Sequence, residues 1–126
     1  MKILFVAGEG APFSASGGLG DVIGALPKSI KSFDSNINVD VILPLYKSTK
    51  EKFKSELKHV TDITFNLSWR KTGAGVYLIN TEGINYFFIE NGYYFVGKYI
   101  IIHNKTCRSS AFDISITALT GRSINI

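Results

Sequence analysis

A glycine-rich run set between an apolar segment and a helix-like one constrains this chain more than any other feature. Lys2 is followed by the continuous apolar run Ile3-Leu4-Phe5-Val6-Ala7. Then comes Ser14-Ala15-Ser16-Gly17-Gly18-Leu19-Gly20-Asp21-Val22, leading into the helix-like stretch Val22-Ile23-Gly24-Ala25-Leu26-Pro27-Lys28-Ser29-Ile30. Strand, glycine loop and helix in that order form a corner suited to an anion. Glycines let backbone approach a ligand closely, and a helix start aims unsatisfied N–H groups and a positive dipole end at it. The same arrangement also serves as a plain structural turn, so both readings stand at this point. Two familiar phosphate motifs are excluded by spacing. The dinucleotide fingerprint needs a third glycine where Phe13 stands after Gly8 and Gly10. The nucleotide-hydrolase loop needs Lys and then Ser or Thr after its last glycine, and here Asp21-Val22 follow Gly20.

The rest of the chain extends this to an α/β reading. Residues 2–7 are expected to form a buried strand, residues 8–20 a loop, and residues 21–33 a helix that Pro27 either kinks or splits. Asp34-Ser35-Asn36 is turn chemistry, and residues 38–43 are a second buried strand, which favours parallel pairing. Residues 47–58 suggest an amphipathic helix with Phe53 and Leu57 four apart, its lysines solvated and balanced by Glu51 and Glu56. His59 is expected at the surface, at that helix's end. Residues 60–69, 74–80 and 84–90 read as strands, with Thr81-Glu82-Gly83 as a hairpin turn. Aromatics at 86–88 and 93–95 are expected mainly in the core, with Tyr93 and Tyr94 evenly balanced between core and a sugar-stacking surface.

Composition narrows the function classes. The chain of 126 residues has 45% hydrophobic and 19% charged residues, as a single globular domain would. Its net charge of +4 is concentrated after residue 95: residues 1–95 hold 10 basic and 9 acidic groups, while residues 96–126 carry Lys98, Lys105, Arg108 and Arg122 against Asp113. No basic face interleaved with aromatics lies in the main body, so a nucleic-acid partner is not expected. No apolar run long enough to span a bilayer is present, so neither is a membrane, and a cytoplasmic location is expected. The lone Cys107 makes no internal disulfide, and two histidines suggest no metal site.

The text of the N-terminal region resembles the bacterial glycogen synthases and plant starch synthases. The blocks that carry the resemblance are Ala7 to Phe13, Ala15 to Lys28, Val39 to Tyr46, and Gly83 to Phe95, in the family's order. They cover residues 1–95. Two departures stand out: Ala15 occupies the place of a family lysine that contacts the donor, and the text from Val96 to Arg108 no longer matches. Residues 96–126 are therefore an anomalous tail, either extra strands or sequence never selected to pack, as from a shifted frame.

The resemblance implies the Rossmann-like N-terminal domain of a GT-B glycosyltransferase, incomplete here, with a β-hairpin-rich second half. It implies transfer of glucose, with retention, from ADP-glucose (UDP-glucose is the alternative donor) to the non-reducing end of an α-1,4-glucan, without cofactor or metal. The family's second domain supplies most of the nucleotide site, so this chain is expected to be inactive alone and to contain no catalytic residue. Ala15, Ser16, Gly17 and Gly18 would line the donor, with Ser16 able to donate a hydrogen bond. Glu9 is either a turn-stabilising group or a sugar contact, and Asp21 either a helix-start carboxylate or a sugar contact. A glucan- or partner-binding module without catalysis, and an unrelated nucleotide-binding α/β domain, are the competing classes.

Overall fold

The computed structural model describes residues 1–92 and 95. The tail at 96–126, with His103 and Cys107, and the Tyr93–Tyr94 pair lie outside the described residues. Seven elements follow in order: β1 (Lys2–Val6), α1 (Gly18–Phe33), β2 (Asn38–Pro44), α2 (Lys47–Lys52), β3 (Lys58–Leu67), β4 (Arg70–Thr81) and β5 (Ile84–Glu90). The strands form one mixed five-stranded sheet in the order β1-β2-β5-β4-β3. β1, β2 and β5 are parallel, with Val6 level with Ile42 and Ile42 with Phe87. β4 runs antiparallel to both β5 and β3.

Burial follows from position in that order. β2 is flanked on both sides, and Val39, Val41, Ile42 and Leu43 are all buried. Its apolar run from Val41 to Leu43 is what a doubly covered parallel strand requires. β1 carries similar text but is the outer strand of the described sheet, paired only with β2, and Leu4 is exposed. The expectation of full burial for residues 2–7 is corrected on that ground. The main core gathers Ala7, Phe13, Ile23, Val41, Leu43, Ile79, Ile84, Tyr86 and Phe88, with Phe53 and Leu57 packed against it. Each large side chain removed from water there contributes about 1.5–3 kcal/mol. A second cluster contains Ile42, Tyr46, Val76, Ile89 and Phe95.

Several boundaries differ from expectation. α1 starts at Gly18, not at residue 21, so two loop glycines belong to its first turn, and it continues through the buried Pro27 as one helix. α2 stops at Lys52: Phe53 caps it, and the turn closed by Leu57 N–H on Phe53 C=O redirects Phe53 and Leu57 to the core. The four-residue spacing of Phe53 and Leu57 thus reflects a turn and not a longer helix face. β4 begins four residues before the expected 74–80 and ends one residue after it. His59 lies on β3, not at a helix end, with Nε2 3.0 Å from Asp62 Oδ1. Lys50 pairs with Glu90 across to β5 and not with the glutamates of its own segment. The turn between β4 and β5 holds Glu82 and Gly83, both at positive φ.

Candidate functional site

The loop between β1 and α1 leaves the carboxyl ends of the parallel strands, where open α/β sheets place their ligands. Its inner side is fixed from several directions. Phe13 is buried and meets Phe53, Tyr86 and Phe88 at centroid distances of 5.0, 4.9 and 5.0 Å. Thr49, buried on α2, donates its hydroxyl to Phe13 C=O at 3.0 Å. Tyr46 donates to Gly8 C=O at 2.8 Å, and burial pushes its phenol pKa up. Ala11 N–H bonds Gly20 C=O at 2.9 Å, tying the loop to the start of α1.

The glycines divide by what surrounds them. A Cβ at Gly20 would lie 2.6 Å from that of Ala15, and one at Gly24 would lie 2.9 Å from that of Ala11 and 3.0 Å from its carbonyl oxygen. Those two glycines are demanded by close approach of loop and helix. At Gly17 and Gly18 an added Cβ meets nothing within 4 Å. Neither has a positive φ, and Gly17 is extended at φ −171°. Nothing inside the described fold requires glycine at those two positions. Their missing side chains keep clear an outward space over the first turn of α1.

Glu9 organises the loop between these two sides. Its Oε2 accepts from Ser16 N–H at 2.8 Å and from Ser16 Oγ at 2.6 Å, and its Oε1 accepts from Gly20 N–H at 3.0 Å. Gly17, the N-cap of α1, has no side chain to cap with, and the Glu9 carboxylate substitutes for one from a distance. The Ser16 hydroxyl first, then the Ser16 amide, hold the Glu9 carboxyl below the usual carboxylate range. Of the two roles expected for Glu9, the turn-stabilising one has direct geometry. Ser16 spends its hydroxyl proton on Glu9, so towards a ligand it offers lone pairs, not the donor anticipated from sequence.

The remaining expected residues come together on one surface. Ala15, Ser16, Gly17, Gly18, Leu19 and Asp21 are all exposed. Asp21 lies in the first turn of α1, where the positive helix end favours a carboxylate. Gly18 and Leu19 N–H are first-turn donors without an intrahelical acceptor. Sequence reasoning missed the anchors Phe13, Tyr46 and Thr49. In sequence Phe13 registers as the end of a resemblance block and as the residue that breaks a glycine fingerprint, not as an anchor. Among the described residues no group of acidic, histidine or cysteine side chains is arranged to hold a metal ion, and no helix is long and apolar enough to cross a membrane.

Comparison with known proteins identifies the family. The family model for the starch synthase catalytic domain matches residues 2–123. The glycogen synthase of Streptococcus pneumoniae (strain 70585) is 48% identical over 95 residues, 75% of this chain and 20% of that protein. That of Streptococcus mutans serotype c is 47% identical over a stretch of the same length. The chain therefore spans about a fifth of the length of the relatives it matches. The catalytic domain of starch synthase IV from Arabidopsis thaliana, bound to ADP and acarbose, shares the fold with a TM-score of 0.60 and 22% identity, over 76% of this chain and 20% of that one. With a domain match across nearly its whole length, the chain belongs to the starch synthase catalytic domain family.

Proposed function

We propose that residues 1–95 form the Rossmann-like, loop-bearing start of the N-terminal domain of a GT-B glucosyltransferase that elongates an α-1,4-glucan from ADP-glucose with retention. In that reaction the bond between the glucose anomeric carbon and the diphosphate oxygen breaks, and ADP departs. A new bond forms to the 4-hydroxyl oxygen at the non-reducing end of the acceptor, whose proton is released. The observation that carries the reading is the side-chain-free surface at Gly17 and Gly18 over the first turn of α1, in a chain of this family. The ADP and acarbose held by the starch synthase IV domain support a nucleotide donor and a glucan acceptor here.

The loop would act by electrostatics and shape. Helix-start N–H groups offset negative charge that builds on the leaving diphosphate, and preorganised donors of this kind commonly dominate transfer catalysis. Glu9 already draws on the Ser16, Gly20 and Gly17 N–H groups, and its charge disfavours a second anion there. The donor phosphates are therefore expected over Gly18 and the start of α1, beside Ala15, Ser16 and Gly17, with a sugar hydroxyl within reach of Asp21. Ala15 brings no cation to the phosphates. Glucan synthesis is expected to need the remainder of the length present in the relatives, with this chain alone inactive.

The test is an amide-resolved titration of the isotope-labelled chain with ADP-glucose, UDP-glucose and ADP. Saturable shifts confined to residues 15–21, strongest with ADP-glucose, are expected. Shifts elsewhere, or none, would remove the donor-loop reading.

A further inference from the structure

The β3–β4 pair carries a feature that the donor loop does not use. β4 is level with the end of β5 at Gly75, paired with Glu90, yet β4 begins at Arg70. The connection between β3 and β4 therefore projects past the carboxyl end of β5, at the same sheet edge as the glycine loop. Leu78 is level with Val6 through Phe87 and Ile42, and Arg70 lies eight residues further along β4. At about 3.3 Å per residue this carries the tip roughly 26 Å beyond the level of Val6.

Ser68 and Trp69 form the connection, with Ser68 at φ 54°. Trp69 is 90% exposed, and the surrounding Asn66, Ser68, Arg70 and Lys71 are exposed and polar. The outer stripe of α1 is a useful contrast. There Leu19, Val22 and Leu26 are exposed at helical spacing, the continuous apolar surface that protein partners cover. Trp69 instead offers a single flat aromatic face ringed by hydrogen-bonding groups. A sugar ring presents the matching chemistry: an apolar C–H face for the indole and a rim of hydroxyls for the polar neighbours. The two-residue turn closed by the Leu67–Arg70 pair sets the ring beyond the paired strands.

We propose that Trp69 is a carbohydrate contact, a platform on which a ring of an α-linked glucan chain stacks at the rim of the sheet edge that bears the glycine loop. The choice of glucan as the sugar rests on the proposed function. A polymer suits this placement because it extends over many rings from one end of the site to a distant tip.

Trp69 is the only tryptophan in the chain, so its emission reports the site directly. The test titrates the 126-residue chain with maltoheptaose, with cellohexaose as a β-linked control, and measures retardation in native gels containing glycogen. Trp69→Ala and Trp69→Tyr are compared, with circular dichroism confirming an unchanged fold at this exposed turn. Expected are a saturable change in emission with maltoheptaose, about tenfold weaker glycogen retardation for Trp69→Ala, and near-complete retention by Trp69→Tyr. Equal retardation of wild type and Trp69→Ala with unchanged emission overturns the contact and leaves the glucosyltransferase reading standing. The same holds if no glucan binds while ADP-glucose still shifts Gly17 and Gly18. An emission change with ADP and none with maltoheptaose also overturns it, in favour of base stacking. Absence of both glucan and nucleotide binding removes this inference and the proposed function together.

Discussion

The two sides of the glycine loop obey different constraints. On the inner side, Phe13 fills the core and Gly20 and Gly24 sit where a side chain would strike Ala15 and Ala11. On the outer side, Gly17 and Gly18 face nothing within 4 Å. Four glycines within eight residues look alike in sequence, yet two answer to packing and two do not. Glycine at positions where neither backbone conformation nor packing requires it supports the proposed donor surface. The inner side sets the position of the outer one, because Glu9, Thr49 and Tyr46 hold the loop rigid from below.

The largest effect is expected from Phe13→Ala. It removes a ring in contact with three other aromatic rings, with a cost of about 3–5 kcal/mol, read as a fall in the urea midpoint. A loss under about 1 kcal/mol would mean that the loop is not anchored through this ring. Next is Gly24→Val, which forces side-chain atoms against the Ala11 backbone and is expected to destabilise by about 1–3 kcal/mol. An equally large loss from a substitution at Gly18 would erase the distinction between the two sides.

How far this was legible in sequence depends on the range of the forces involved. β2 and β5 are readable because their apolar runs, 41–43 and 86–89, and their β-branched and aromatic residues act locally. The parallel pairing of β1 with β2 followed from the strand–helix–strand order. That β1 sits at an edge was not readable, since its apolar text is the same whichever neighbours it has. The start of α1 was placed three residues late because glycine disfavours helix; contacts from Glu9 and Ala11, distant in sequence, override that preference. Glu9 spans 7 and 11 residues to its partners, so no local pattern announces the clasp. Trp69 fell inside a predicted strand, and only the pairing of Leu67 with Arg70 shows it to be in the turn. The resemblance proposes the candidate donor residues as a group, while the division among the glycines needs coordinates.

Glu9 tests the link between the two sides. Its folded-state pKa lies below the ordinary 4.5 because Ser16 and Gly20 donate to the ionised form. The contribution is therefore complete above 4.5, where the unfolded chain is also ionised, and is lost as pH falls through the lower folded value. Against Glu9→Gln, the wild type should hold an advantage of a few tenths of a kcal/mol at neutral pH, screened because the group is partly exposed, and the gap should narrow on acidification. A pH-independent gap would mean that the carboxylate charge has no part in holding the loop.

Gly18→Ala should have the smallest effect on stability and the most informative sign. Position 18 has helical backbone at the first turn of α1, and a Cβ there meets no neighbour. Alanine is a better helix former than glycine, so stability is expected to be unchanged or to rise by up to about 1 kcal/mol. Yet the methyl group occupies the outward space over the helix-start N–H groups and should weaken ADP-glucose binding in the amide titration. A variant that is no less stable and binds less well would separate the two sides of the loop in one substitution. If binding is unaffected, the space over Gly18 is not where the donor sits, and Ala15 and Ser16 remain as the exposed loop residues for it to contact.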